Sequence, residues 1–129
     1  MSLFARIIRK LVRTSRVSFY KCISTAKPEG KFRSVAPLLC EGKGRVSVGE
    51  GTVFGFMEDA GFWTSYEFLN PRNVDSKISI GKNCQICNRF TAVSEGEGIE
   101  IGDNVLVGSS VTVLDSDFHE IDPEKRVGG

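Results

Sequence analysis

A six-residue period begins at residue 46, and it constrains the fold more than any other feature of the chain. Ile101, Val107 and Val113 lie six apart, and Val105 and Val111 form a second row two residues before Val107 and Val113. An earlier stretch holds the same register, with Ile80, Ile86 and Ala92 in the first row and Cys84 and Phe90 in the second. The earliest stretch has Val48 and Phe54, with Thr52 in the second row. Gly follows the large apolar residue at Val48, Phe54, Ile80, Ile101 and Val107. An α-helix repeats every 3.6 residues and a strand every 2. A repeat of aliphatic-Gly-x-x-small-x is neither, and it matches the hexapeptide pattern of a parallel β-helix. Each hexad supplies one short strand and one turn. Three hexads, roughly 18 residues, close one triangular coil, and coils stack by parallel pairing at about 4.8 Å. The aliphatic and small positions point inward, and Gly admits the tight turn between flat faces. Strands of a β-sandwich would alternate in the same way over residues 105–113, because 2 divides 6. The recurrent Gly favours the β-helix. No single coil buries its own core, so several must stack.

The period is interrupted twice. Ile80 and Ile101 are 21 apart, three more than three hexads, and Ser94-Glu95-Gly96-Glu97-Gly98 supplies the excess. Residues 56–76 form a longer insertion, rich in aromatics around Phe62, Trp63, Tyr66 and Phe68. Such a segment can line a sugar acceptor, make a subunit contact or form a satellite core. Before the repeats, residues 24–45 are expected to be an extended connector. It carries the turn signal Lys27-Pro28-Glu29-Gly30 and the short apolar run Val35 to Cys40. The expected organisation is a basic N-terminal helix and connector over 1–45 and a hexapeptide-repeat region over 46–129.

Residues 3–20 predict an amphipathic α-helix. Leu3, Phe4, Ile7, Ile8, Leu11 and Val12 recur at helical spacing, Arg6, Arg9, Lys10, Arg13 and Arg16 fill much of the rest, and no acid precedes Glu29. One reading is a peripheral contact with an anionic membrane surface. Another is an apolar stripe packed on the body or on a neighbouring subunit. An organelle transit peptide shares the composition. The net charge of +1 hides a split: residues 1–45 hold 11 Lys and Arg against 2 acids, and residues 46–129 hold 6 against 14. The acidic body argues against nucleic acid as a partner.

A chain of 129 residues fits one domain. Its single His cannot build a three-His zinc site or a two-His facial iron site on one chain. No run reaches 18 apolar residues and no secretory signal pattern opens the chain. The four Cys, at 22, 40, 84 and 87, are therefore expected to be reduced in the cytoplasm, on the inner face of the membrane if the helix docks there. Cys84-Gln85-Ile86-Cys87 is a CxxC, but Cys84 holds the small inward hexad position, which favours a core thiol over a metal or redox pair.

Residues 99–126, IEIGDNVLVGSSVTVLDSDFHEIDPEKR, resemble the hexapeptide-repeat acyltransferases. They look most like the maltose/galactoside O-acetyltransferase type and its relatives in surface-polysaccharide biosynthesis. The likeness covers roughly residues 38–127. It implies an all-β, left-handed parallel β-helix with the N-terminal amphipathic α-helix added to it. It also implies a homotrimer with active sites between subunits, acetyl-CoA as acyl donor, a sugar or saccharide acceptor, and no metal. The family's base falls on His119, which would remove the proton of the attacking hydroxyl. Asn88 would bind the acceptor or help hold the oxyanion, or else stack at a coil corner. Asp115 and Asp117 would bind substrate or orient His119, or else cap turns. Glu95 falls where relatives carry an acceptor-binding acid. The family continues with further coils after this loop, so the repeat region is expected to be incomplete. That leaves two alternatives to an active enzyme: a truncated, inactive member, or a non-enzymatic trimeric scaffold at the membrane. Gamma-class carbonic anhydrase shares the fold, but one His cannot supply its three ligands.

Overall fold

The structure, a computed structural model, describes residues 1–120 and 122–126. The protein is mostly parallel β-sheet with one long helix. Helix α1 spans Leu3–Ile23, and eleven short strands follow. They are β1 (Arg33–Ser34), β2 (Leu38–Cys40), β3 (Arg45–Val48), β4 (Val53–Phe54), β5 (Glu67–Pro71), β6 (Lys77–Ile80), β7 (Gln85–Ile86), β8 (Thr91–Ser94), β9 (Ile99–Ile101), β10 (Leu106–Val107) and β11 (Thr112–Leu114). They form three sheets, ordered β1-β4-β7-β10, β2-β5-β8-β11 and β3-β6-β9, and every pairing is parallel. Each strand therefore pairs with the strand three places on. That order is compatible with a parallel β-helix.

First-row residues, and the apolar residues two places before them, stack in register. Val46, Ile78 and Ile99 form one ladder, and Val48, Ile80 and Ile101 the next. Their side chains fill the core together with Phe54, Leu69, Ile86 and Phe90. Fully burying one such side chain is worth about 1.5–3 kcal/mol. In the β9–β11 layer Ile101, Val105 and Val113 are only partly buried, whereas their counterparts Ile80, Cys84 and Ala92 are buried.

Gly55 has the left-handed φ of 93° that a tight turn calls for, but two of the other repeated Gly have a different reason. Gly49 and Gly81 are not in the left-handed region; a Cβ on either would run into the backbone of the next layer, at Gly81–Lys82 and Gly102–Asp103 respectively. At the turns that follow these Gly, the left-handed residues are Gly51, Asn83 and Asn104, with φ of 80°, 54° and 59°. Asn tolerates that conformation better than most side chains. The second row adds a polar link between layers. Thr52 Oγ1 donates to the Gly81 carbonyl at 2.7 Å, and the Cys84 thiol donates to the Gly102 carbonyl at 3.1 Å. Cys84 thus does the work of a hydroxyl in the core, and burial raises the pKa of the Cys40 thiol to about 12.

Three expectations about extent change. The helix runs one turn further, to Ile23, where Ser24 Oγ donates to the Tyr20 carbonyl and accepts from the Cys40 N–H of β2. The connector at 24–45 contributes β1 and β2, whose partners are β4 and β5. The insertion is shorter than 56–76, because β5 lies within that range. Residues 127–129, the expected end of the repeat region, lie outside the described residues.

Helix α1 packs with its basic face inward. Arg16 donates to the Phe62 carbonyl at 2.8 Å and to the Ser65 carbonyl at 2.6 Å. The Arg9 guanidinium lies 4.9 Å from the centre of the Trp63 ring, and Arg13 reaches the Met57 sulfur. Tyr20 stacks on Tyr66, with ring centres 4.8 Å apart. The aromatic insertion is thus a satellite cluster under the helix, with Phe62 buried at its centre. The apolar stripe does not pack on the body, which corrects that reading: Leu3, Phe4 and Leu11 are 73%, 74% and 58% exposed. Arginine satisfies the loop carbonyls that an aliphatic stripe would leave without donors.

Candidate functional site

The loops that follow β5, β8 and β11 leave one sheet at the same corner, because Pro71 pairs with Ser94 and Leu114 with Val93. The β8 loop, Glu95 to Gly98, carries the three-residue excess. Asp115 holds it. Its carboxylate accepts from the Ser94 hydroxyl at 2.7 Å and from the Glu95, Gly96 and Gly98 N–H groups at 2.8, 3.2 and 2.9 Å. Desolvation pushes this carboxyl up, but the four donors together outweigh it and hold it down at about 2. The carboxylate contacts of Asp115 go to Ser94 and to this loop, which is the turn-capping alternative.

The next loop carries His119. Phe118 has φ of 58°, and its N–H donates to the Ser116 hydroxyl at 3.1 Å. That turn sends the Phe118 ring back under Arg72, whose guanidinium lies 4.5 Å from the ring centre. Arg72 also meets the Glu95 carboxylate at 3.8 Å, and its N–H donates to the Ser94 carbonyl. Arg72 therefore ties the three loops together. Sequence reasoning missed it because it lay inside the supposed insertion. The spacing held no signal for it, because the pairing of Pro71 with Ser94 that brings Arg72 beside Glu95 is set by the fold.

His119 and Asp117 are exposed and line a cavity of ≈ 450 Å³ together with Glu120, Lys125 and Arg126. The wall beyond His119 is a short 3₁₀ turn, Pro123–Lys125, capped by Asp122. Arg126 Nε donates to the Glu120 carbonyl at 2.9 Å and folds this turn back over the His loop. Lys125 lies 3.9 Å from Asp122. Imidazole, carboxylate and two cations thus face one opening large enough for a small polar molecule. Glu95 stands apart from that opening, engaged with Arg72.

Asn88 is elsewhere and does other work. Its side chain is fully buried; Oδ1 accepts from the Phe56 N–H at 2.8 Å and Nδ2 donates to the Phe56 carbonyl at 2.9 Å. The amide imitates a strand neighbour and clamps the start of the aromatic insertion. It is not open to an acceptor, so its expected substrate role is corrected to the corner position that was the alternative. Nearby, Asp59 accepts from the Gly61 N–H and the Ser109 hydroxyl and faces Arg89. Those hydrogen bonds, led by Ser109, lower its pKa.

Glu67 was also missed. It opens β5 and aligns with Leu38 of the core. Neither carboxyl oxygen has a hydrogen-bond partner, and burial raises its pKa to about 8 despite Arg16 nearby. Among the described residues no group of three His, Cys, Asp or Glu is placed to hold a metal ion, and no helix is long and apolar enough to cross a membrane. No protein-family model, curated protein or solved structure matches the chain.

Proposed function

We propose that the chain is an acetyl-CoA-dependent O-acetyltransferase acting on a sugar hydroxyl in surface-polysaccharide biosynthesis. It is a homotrimer of left-handed parallel β-helices located in the cytoplasm. One observation carries the reading. His119, the residue on which the likeness to hexapeptide-repeat acyltransferases puts the base, opens onto a cavity beside Asp117, Lys125 and Arg126. The order of the three parallel sheets supports the fold that the likeness implies. The two cations suit the phosphates of such a donor, and a neighbouring subunit completes the site.

The donor supplies a thioester carbonyl. The imidazole of His119 takes the proton of the sugar hydroxyl as its oxygen attacks that carbonyl. The C–S bond breaks, the new ester is released, and the thiolate leaves with the proton returned by His119. Asp117 lines the same opening beside His119 and is placed to meet the acceptor. Arg72, Glu95 and Asp115 position the loop without touching substrate.

The test is to incubate the full chain with acetyl-CoA and a panel of mono- and disaccharides and to look for O-acetylated sugar by mass spectrometry. An acetylated product with at least one acceptor is expected. Absence of product with every acceptor, from protein that is folded by circular dichroism, overturns the proposal and favours the non-enzymatic scaffold.

A further inference from the structure

Helix α1 presents two surfaces to solvent. The first is its apolar stripe. Leu3, Phe4, Ile7, Ile8 and Leu11 all point away from the body and are between 44% and 74% exposed. The second is a cavity of ≈ 300 Å³ along the flank of the helix, lined by Arg6, Arg9, Lys10 and Arg13 with Met57 and Trp63. No acid lines it. None of the three ion pairs among the described residues includes a cation of α1. A strongly apolar face and an unneutralised cationic hollow therefore lie side by side on one rod about 30 Å long.

We propose that α1 docks in the plane of an anionic phospholipid bilayer. The apolar stripe enters the acyl region, and the arginine- and lysine-lined cavity receives lipid phosphates. The chemistry fits both phases. A helix of this kind lies at the interface with its apolar face among acyl chains and its cations at headgroup depth. Each basic residue near an anionic leaflet adds attraction that fades within a Debye length. Trp63, half-buried at the cavity wall, is of the amphipathic type enriched at headgroup level. A second copy of the chain is the weaker occupant. Two α1 helices packed stripe to stripe would bring the cations that flank each stripe together with no acid on either helix to offset them. The proposal is independent of acyl transfer, and its readout involves no activity.

The test is sedimentation of the full chain with vesicles of phosphatidylcholine alone or with one-third phosphatidylglycerol, with Trp63 emission followed in parallel. The chain has only this Trp, so a blue shift reports this cavity. Expected are binding at least tenfold tighter to the anionic vesicles, loss of that preference at high salt, and a blue shift on binding. Ile7→Glu with Leu11→Glu, at exposed positions, should abolish binding, and Arg6→Glu with Lys10→Glu should remove the preference for anionic lipid; circular dichroism checks that each variant folds. Equal binding to both vesicles, or none to either, overturns the proposal. So does a wild-type oligomer that Ile7→Glu with Leu11→Glu dissociates while vesicles stay unbound. The salt series on the unaltered chain decides the matter even if a variant fails to fold.

Discussion

Glu67 and Asp115 are carboxylates pushed in opposite directions, and each fixes a local pH dependence. Glu67 keeps its proton in the folded chain up to about 8, whereas its ordinary value is 4.5. Between those values the unfolded chain binds fewer protons. The stability that Glu67 confers is thus complete below about 4.5 and is lost as pH rises through about 8. Replacing it with the neutral isostere, Glu67→Gln, should flatten this slope and raise stability at pH 8 by on the order of 2 kcal/mol. Urea melts at pH 5 and pH 8 check it. Asp115 runs the other way: its contribution is present above its ordinary value of 3.8 and is lost as pH falls through about 2. Asp115→Asn should cost about 1–3 kcal/mol at neutral pH, since several bonds to a charged acceptor are weakened. It should also speed amide exchange at Gly96 and Gly98. The sequence singled out Asp115, but not its job. A turn-capping Asp and a His-orienting Asp look the same in a string of letters, and only the three-residue excess at 94–98 marked a loop in need of an anchor. Glu67 was illegible because nothing local announces that an acid opening a strand will face the core.

At the scale of elements the period was the legible part. Val48, Ile80 and Ile101, picked out by the period, stack as one ladder. β1, β2 and β5 were missed, because the connector and the aromatic insertion that hold them carry no six-residue repeat. Loops of different length hide the register while leaving the pairing intact. The Gly after each aliphatic residue gives a sharp test, because its neighbours differ along the stack. A Cβ at Gly81 meets the backbone of the next layer, whereas at Gly102 nothing lies within 4 Å. Gly81→Ala should therefore destabilise by about 1–3 kcal/mol through overpacking, and Gly102→Ala should be nearly neutral. Thermal melts of the two variants separate a stacking role from a turn role, for which both would cost alike. Helix α1 shows the opposite limit. Its stripe was plain from spacing, but which face meets protein was set by the Phe62 and Ser65 carbonyls, 46 and 49 residues away.

Across the whole molecule, the charge split becomes a spatial one. The basic helix lies on the aromatic insertion with its apolar stripe outward, and the His119 loop belongs to the corner formed by the turns after β5, β8 and β11. The proposed chemistry and the proposed docking surface thus use separate parts of the chain. His119 and Asp117 were legible from the motif around them, and the structure sets both at one cavity. Asn88 and Glu95 were legible as unusual residues, but their partners, the Phe56 backbone and Arg72, come from segments the period did not cover. His119 is the proposed base for acyl transfer. The direct measurement is the rate of thiol release from acetyl-CoA at saturating sugar, for the wild type and for His119→Gln at matched folding. A fall of roughly 10²–10⁴-fold is expected in the variant, with donor affinity unchanged. Equal rates in the two proteins would contradict it.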